Sequence, residues 1–145
     1  MHAAIVHVPI DPSAVLRGVG DDEDGAVVLF LGTVRDHNDG RPVRGLRYEA
    51  YVAMAQAVLD AIAREAGERA GTDQVVVLHR VGELAVGEYS VAIAVAAPHR
   101  SDAYDASRYI IEEIKKRLPV WKHEHYADGA ARWLDGAPPP VGERS

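Results

Sequence analysis

The chain contains no cysteine, which excludes disulfides, thiolate metal sites and a cysteine nucleophile. If the protein takes part in sulfur chemistry, the sulfur must therefore arrive on another molecule. No apolar run approaches the roughly 18 to 20 residues that a membrane-spanning helix needs. The start, "MHAAIVHVPIDPS", has neither the basic segment nor the long apolar segment of a signal peptide. We therefore expect a cytoplasmic protein without a membrane partner.

The chain also has no excess of positive charge, since its formal net charge is −6. A nucleic-acid binder neutralises phosphates with a basic face, so we predict no nucleic-acid partner. The G-x-x-x-x-G-K-S/T loop, the G-x-G-x-x-G fingerprint and the G-x-S-x-G elbow are all missing from the sequence.

The chain has seven histidines, which raises the question of a metal site. His123 and His125 alternate across one residue, so they share one face of a predicted strand. A third ligand at a recognisable spacing is missing, although zinc sites usually need three or four. We predict no metal site and no other cofactor.

A length of 145 residues fits one domain with a core of its own. Hydrophobic residues make up 48% and charged residues 26% of the chain, as in ordinary globular proteins. The sequence shows no internal repeat and no linker. We therefore predict a single catalytic domain over residues 1–136, followed by a proline-rich tail over 137–145.

Hydrophobic periodicity predicts an α+β fold in which two long helices pack on a mixed or antiparallel sheet. Asp11 is the expected N-cap of a short first helix, with Pro12 at its first position. Asp39 and Gly40 form a turn signal, and we expect the strand after it to return as hairpin partner of the strand before it. The predicted strands cover 3–8, 25–35, 43–51, 74–84, 88–97 and 120–126, and the helices cover 12–19, 52–70 and 101–118.

The two long helices each carry an apolar stripe at helical spacing. In the helix over 52–70, we expect Met54, Val58 and Ile62 to face the core, with Leu59 and Ala66 beside them. In the helix over 101–118, the predicted buried stripe is Ala103, Ser107, Ile110, Ile114 and Leu118, with Ile111 beside it.

The segment "KKRLPVWK" places two lysines on either side of the proline that ends the last helix. Lys115 lies on the border of the buried stripe, Lys116 points to the opposite side, and Lys122 follows in a predicted strand. A lysine in an apolar wall suits proton transfer, and its ammonium also holds phosphate or carboxylate groups. Alternatively, Lys115 covers apolar surface with its stem and Lys122 protects a strand edge. The pattern alone leaves both interpretations open.

Two further segments could bind an anion. His99 and Arg100 precede the last helix, where free N–H groups and the helix dipole favour negative charge, and Ser101 or Asp102 is the expected cap. Arg35 ends a buried strand and is followed by a turn, a position that often carries function. A carboxylate partner for Arg100 and a solvated Arg35 remain the alternatives.

Five segments, "FLGTVRDHNDG", "LRYEAY", "HRVGELAVGE", "APHRSDAYDA" and "KKRLPVWKHE", occur in this order at fixed intervals. With them the chain resembles the large, catalytic subunits of molybdopterin synthases over roughly residues 3–135. The resemblance implies an α/β-hammerhead fold and a homodimer with a small ubiquitin-like sulfur-carrier subunit at each end, a heterotetramer. That partner ends in Gly-Gly as a thiocarboxylate and gives sulfur to cyclic pyranopterin monophosphate. Two transfers make the dithiolene of molybdopterin.

The resemblance also implies roles for particular residues. Lys115 and Lys122 match the two catalytic lysines of the family. The substrate-binding positions match Arg35, His99, Arg100 and Phe30, and the pair His99 and Arg100 reaches across the dimer into the neighbour's pocket. A further match is an R-W signature at Arg132 and Trp133. The chain departs from the family at Ile111, where some relatives have Met and where we expect only pocket packing, and Arg144 is a guess for a C-terminal basic contact.

Two other functions remain open from the sequence. The first is a non-catalytic domain on the same scaffold that binds an anionic small molecule, which loss of either lysine would favour. The second is an adaptor that binds partners with a sheet edge. The adaptor function would gain support if the implied site residues lay far apart both within one chain and across a dimer.

Overall fold

The computed structural model describes residues 1–134, which form two sheets and three helices. The predicted α+β class is confirmed, with two long helices packed on a mixed sheet. The boundary predicted at residue 136, the tail over 137–145 and Arg144 lie outside the described residues. The elements are β1 His2–Val6, α1 Pro12–Arg17, β2 Ala26–Thr33, β3 His37–Asn38, β4 Arg41–Ala50, α2 Val52–Ala70, β5 Val75–Arg80, β6 Gly82–Ala85, β7 Tyr89–Ala97, α3 Arg100–Arg117, β8 Val120–Tyr126 and β9 Ala131–Trp133.

The first sheet has the strand order β1-β5-β7-β2. Strand β1 runs parallel to β5, while β5 and β2 both pair with β7 in antiparallel fashion. The second sheet is antiparallel, with the order β3-β4-β8-β9 and β6 paired to β4. The single sheet expected from the sequence is therefore two sheets, which meet where β2 leads into β3 and where β5 leads into β6.

The predicted strand over 74–84 was wrong as one element. Strand β5 ends at Arg80, and Gly82 then adopts a φ of +96°, which favours glycine. The chain turns there and continues as β6, which pairs with β4 of the other sheet. The apolar run ends at Leu78, before the turn, so Gly82 was the available signal of the change of sheet.

The predicted hairpin between the strands over 25–35 and 43–51 was also wrong. Strand β2 pairs with β7, while β4 pairs with the short strand β3. The turn signal itself is confirmed, because Asp39 and Gly40 have φ of +50° and +76° and connect β3 to β4. Two positive φ values in a two-residue loop match the twist of a tight hairpin.

Helices α2 and α3 pack on one face of the first sheet and on each other. The stripe predicted on α3 is confirmed, since all of its residues are buried: Ala103, Ser107, Ile110, Ile114 and Leu118. The stripe predicted on α2 was partly wrong, because Met54 is 55% exposed while its neighbour Ala55 is fully buried. Alanines lie on several sides of α2, so the sequence pattern fitted two neighbouring faces of the helix. The face with the smaller side chains is the one that packs closest to the core.

Within residues 1–134, no helix is both long enough and apolar enough to cross a membrane. The expected N-cap of α1 is confirmed, because the Asp11 carboxylate accepts a hydrogen bond from the Ser13 amide at 3.0 Å.

The observed face of α2 predicts how truncations on this helix affect stability. Leu59 is fully buried in the core, so we expect Leu59→Ala to lower the free energy of unfolding by about 2 to 5 kcal/mol. Met54→Ala is the matched control, and because that side chain is exposed we expect a change within about 0.5 kcal/mol. Urea unfolding of both variants measures the difference. Equal losses would contradict the assignment of the buried face.

Candidate functional site

The register of the second sheet places Lys122 beside an aromatic residue. Lys122 of β8 lies directly opposite Tyr48 of β4, and Glu124 lies opposite Leu46. Because side chains alternate across a strand, Lys122, Tyr48 and Glu124 share one face of the sheet. Tyr48 and Glu124 are buried and Lys122 is half-buried, so this lysine lies on the inner face.

His79 lies beside Tyr48 at the end of β5. Its side chain is 4% exposed, and its ring meets the Tyr48 ring edge-on with the centroids 5.0 Å apart. Nδ1 lies 3.0 Å from the backbone carbonyl oxygen of Arg80. The last strand residues of the first sheet thus contact the inner face of the second sheet at this junction.

Lys115 approaches the same junction from the last turn of α3. Its side chain is exposed, but its charge is close enough to His79 to influence that imidazole. The connection between α3 and β8 is short, and the Pro119 carbonyl accepts a hydrogen bond from the Tyr51 amide at 3.2 Å. Lys115, His79, Tyr48 and Lys122 therefore follow one another across the junction, and we call this group the lysine site.

Lys116 differs from both of these lysines. It is exposed, and its ammonium pairs with Glu113 on the outer side of α3 at 3.4 Å.

The imidazole in the lysine site is neutral at physiological pH. Burial lowers the pKa of His79 to about 4, since an imidazolium is poorly solvated there. The hydrogen bond to Arg80 opposes this shift, and the positive charge of Lys115 adds to it. The lysine site thus combines two cationic side chains with one neutral, buried histidine.

Phe30 lines a cleft of about 860 Å³ between β2 and α3. Ile111 and Arg108 line the same cleft from the helix side. Ile111 lies one helical turn before Lys115, so both lie on the same side of α3. The cleft therefore lies along the side of α3 that also carries Lys115.

Arg35 lies where the chain passes from the first sheet to the second. The amide of Val34 donates to the Glu88 carbonyl at 3.0 Å, and the Asp36 carbonyl accepts from the Val43 amide at 2.7 Å. These bonds fix the backbone on both sides of Arg35, and its side chain is exposed.

His99 and Arg100 are exposed at the opposite end of α3 from Lys115. The predicted cap was wrong, because the helix begins at Arg100 and His99 is the N-cap residue, without a side-chain capping bond. A rise of 1.5 Å per residue separates Arg100 from Lys115 by about 22 Å along the helix axis. One chain therefore does not bring this pair to its own lysine site.

The two residues of the R-W signature lie on opposite faces of the second sheet, because Trp133 lies opposite His123 and Arg132 lies opposite Glu124. Trp133 of β9 stacks on His123, with ring centroids 4.6 Å apart and planes at 19°. Arg132 bonds the Asp39 carboxylate at 3.4 Å. His123 lies next to Lys122 in β8, so its side chain lies on the opposite face of the sheet. The contacts of Trp133 and Arg132 attach β9 to the sheet. Within residues 1–134, no three His, Asp or Glu side chains are grouped to hold a metal ion.

Three residues near the implied site were not singled out in the sequence: Tyr48, His79 and Arg108. Tyr48 and His79 occur within the quoted segments "LRYEAY" and "HRVGELAVGE", but no spacing rule distinguishes them there. Arg108 lies one helical turn before Ile111, and this spacing was the signal that could have identified it.

Comparisons with known proteins show the family to which this chain belongs. The family described as MoaE protein matches residues 5–117. A molybdopterin synthase catalytic subunit of Emericella nidulans is 40% identical over 135 residues, which are 93% of this chain and 69% of the relative. The structure of molybdopterin synthase from Staphylococcus aureus superposes with a TM-score of 0.86 at 38% identity, covering 92% of this chain and 96% of that one. One chain of a complex of subunits 1 and 2 of molybdopterin-converting factor from Helicobacter pylori shares the fold, with a TM-score of 0.71 at 19% identity over 96% of this chain and 94% of that one.

The buried histidine makes folding stability depend on pH. An unfolded histidine titrates near pH 6.5, so protons bind the unfolded chain more tightly than the folded chain between pH 6.5 and about 4. The stability that the neutral His79 contributes to the folded chain is complete above pH 6.5 and is lost as the pH falls towards 4. We expect the wild type to lose about 2 kcal/mol more than His79→Gln between pH 7.5 and pH 5. Urea unfolding of both proteins at both pH values tests this. An equal loss of stability in the wild type and the variant would contradict a neutral buried imidazole.

Proposed function

The chain belongs to the MoaE family and is an enzyme of molybdopterin synthesis, and we propose that it converts cyclic pyranopterin monophosphate to molybdopterin. The sulfur comes from the C-terminal thiocarboxylate of a small ubiquitin-like partner. The observation that carries this proposal is the lysine site, where Lys115 and Lys122 approach one junction from two elements joined at Pro119. The missing cysteine agrees with it, because the donor sulfur belongs to the partner.

The proposed reaction develops negative charge at two places. The thiocarboxylate sulfur forms a C–S bond to a substrate carbon while a C–O bond of that carbon breaks, so the displaced oxygen carries away negative charge. The product is a thioester between the partner's terminal carbonyl and the substrate. Water then adds to that carbonyl, the C–S bond breaks, and the partner leaves as a carboxylate while the sulfur stays on the substrate. Fixed cations beside the carbonyl oxygen stabilise the oxyanion of this step, and Lys115 and Lys122 take this role. A second partner molecule supplies the second sulfur.

The other implied residues bind the substrate in this proposal. Phe30 lines the cleft between β2 and α3 and offers the substrate an apolar wall. Arg35, in the connection between the sheets, supplies a cation for the phosphate of the substrate. His99 and Arg100 lie about 22 Å from Lys115 along α3, so they serve the site of a second copy of the chain.

The assembly that follows is a homodimer with one small subunit bound at each end. The Helicobacter pylori relative is described in a complex of two different subunits, and we propose this kind of partner for the present chain. The small subunit's C-terminal tail would enter the lysine site, where its negative charge meets two ammonium groups.

Substitution of the three neighbouring lysines tests the catalytic assignment. We expect Lys115→Ala and Lys122→Ala each to lower the rate of molybdopterin formation by at least about 100-fold, because oxyanion stabilisation is lost. Lys116→Ala is the matched control and should retain wild-type activity, since that ammonium pairs with Glu113 away from the site. The assay combines the chain, a thiocarboxylated partner and cyclic pyranopterin monophosphate, and it measures molybdopterin as its fluorescent oxidation product.

Two outcomes would contradict the proposal. Equal activity in all three variants would remove the lysines from the mechanism. Substrate binding without product in the wild type, with a stable partner complex, would favour a non-catalytic domain that binds an anionic small molecule. Thermal unfolding of each variant shows whether a lost activity reflects lost folding.

Mixing two inactive variants tests whether Arg100 acts in a second copy. A dimer of Arg100→Ala with Lys122→Ala contains one site with an intact Lys122 and an intact Arg100 from the other copy. Random pairing makes half of the dimers mixed, and each mixed dimer has one intact site of two. If Arg100 acts across the dimer, subunit exchange should therefore restore activity to about a quarter of the wild-type level. Activity that stays at the level of the separate variants would place Arg100 in its own chain's site or outside the reaction.

A further inference from the structure

The cleft between β2 and α3 carries charged side chains that the proposed mechanism does not use. Phe30 and Ile111 give it apolar walls, and Asp105, Arg108 and Glu112 line it from the helix. Its volume of about 860 Å³ is typical of sites that bind small molecules, which are mostly apolar with a few polar groups. The three charged groups therefore indicate which part of a ligand the cleft suits.

Arg108 has N–H donors available for a ligand. Its side chain is exposed, and Asp105 and Glu112 lie three residues before it and four after it, at spacings where ion pairs form on a helix. Arg117 makes such a pair with Glu113 at 3.2 Å. Within residues 1–134, however, the ion pairs of α3 are those of Lys116 and Arg117, and Arg108 takes part in none of them.

The charges that line the cleft do not suit an anion. Two carboxylates and one guanidinium leave an excess of negative charge, which repels a phosphate. The same groups suit a neutral ring with donors and an acceptor along one edge. A carboxylate accepts from an amino group and a ring N–H, and a guanidinium donates to a carbonyl oxygen, as in the recognition of nucleic-acid bases.

The pyrimidine ring of a pterin has an edge of this kind. A carbonyl oxygen, a ring N–H and an exocyclic amino group follow one another along it, and the face of the ring can pack against an aromatic side chain. The substrate of the proposed function carries this ring at one end. Its phosphate and the pyran carbons that receive sulfur lie towards the other end.

Helix spacing distinguishes the two carboxylates. Arg108 and Lys115 are seven residues apart, so they lie on the same side of α3, about 10 Å apart along its axis. Asp105 lies beyond Arg108 as seen from Lys115, whereas Glu112 lies between them. A ligand with its reacting carbons at Lys115 therefore reaches Arg108 and Asp105 with its opposite end.

We propose that this cleft is the subsite for the pterin ring, where Arg108 donates to the ring carbonyl and Asp105 accepts from the ring N–H and the amino group. Phe30 packs against the ring. The subsite makes the enzyme specific for the heterocycle, while the cations elsewhere bind the charged parts of the substrate. The assignment rests on the proposed function for the identity of the ligand, but recognition of the ring is measured without any reaction.

Two fluorescent ligands without a phosphate test the subsite directly. Pterin has the amino group, and lumazine has a carbonyl oxygen in its place, which a carboxylate repels. We expect the chain without its partner to bind pterin about 10- to 100-fold more tightly than lumazine, the effect of one hydrogen bond to a charged group. Asp105→Asn should remove this preference, because an amide can donate to the lumazine oxygen. Glu112→Gln is the matched control and should keep it. Fluorescence titration gives each Kd.

Steady-state kinetics separate this role from a structural one. We expect Asp105→Asn and Arg108→Ala each to raise the KM for cyclic pyranopterin monophosphate about 10- to 100-fold, with kcat within about threefold, because both contacts persist from ground state to transition state. Loss of a negative charge alone would favour an anionic substrate, so a purely electrostatic effect of Asp105→Asn has the opposite sign. Both side chains are exposed, so the unfolding temperature should not change.

Three outcomes decide the inference. Equal affinity of the wild type for pterin and lumazine, or a preference that Asp105→Asn retains, would overturn the subsite. Dissociation of the dimer in Arg108→Ala, seen by analytical ultracentrifugation with the pterin preference unchanged, would overturn the role of Arg108 and place it at the contact between copies. A pterin preference that depends on Asp105, in a chain that forms no molybdopterin, would support the subsite and contradict the proposed function.

Discussion

The burial of α3 against α2 and the first sheet is the constraint on which the site depends. Ile110 and Ile114 are fully or almost fully buried, and full burial of one such side chain contributes about 1.5 to 3 kcal/mol. Glu65 of α2 bonds Arg117 and Tyr109 of α3, and these bonds lower the pKa of its carboxyl to about 2. The groups are partly exposed, so apolar burial, more than this ion pair, holds the helix in place.

The position of α3 in turn sets the electrostatics of the lysine site. The helix ends at Arg117, two residues before Pro119, and its last turn brings Lys115 to the junction of the sheets, while the strand after the proline carries Lys122. Between them lies His79, which burial keeps uncharged. A chain with a net charge of −6 thus places two lysines at one junction, where their charge favours an anionic ligand.

Sequence patterns predicted the parts of this arrangement that depend on local spacing. The apolar stripe of α3 and the strand over 120–126 were confirmed because a helical or alternating period follows from one segment alone. The face of α2 was misassigned at Met54, since alanine fits either side of that helix. The break between β5 and β6 was missed because Gly82, where the backbone changes direction, was included in one predicted strand over 74–84.

The sequence by itself determined that two lysines flank a helix-ending proline, that no thiol is available, and that the ordered segments belong to one family. Only the tertiary structure decided that Tyr48 faces Lys122 and that His79 packs against Tyr48. The physical reason is that sheet register and the contact between the two sheets relate residues that no local period connects. His79 is likewise neutral because its side chain is buried, and it is buried only once the two sheets meet.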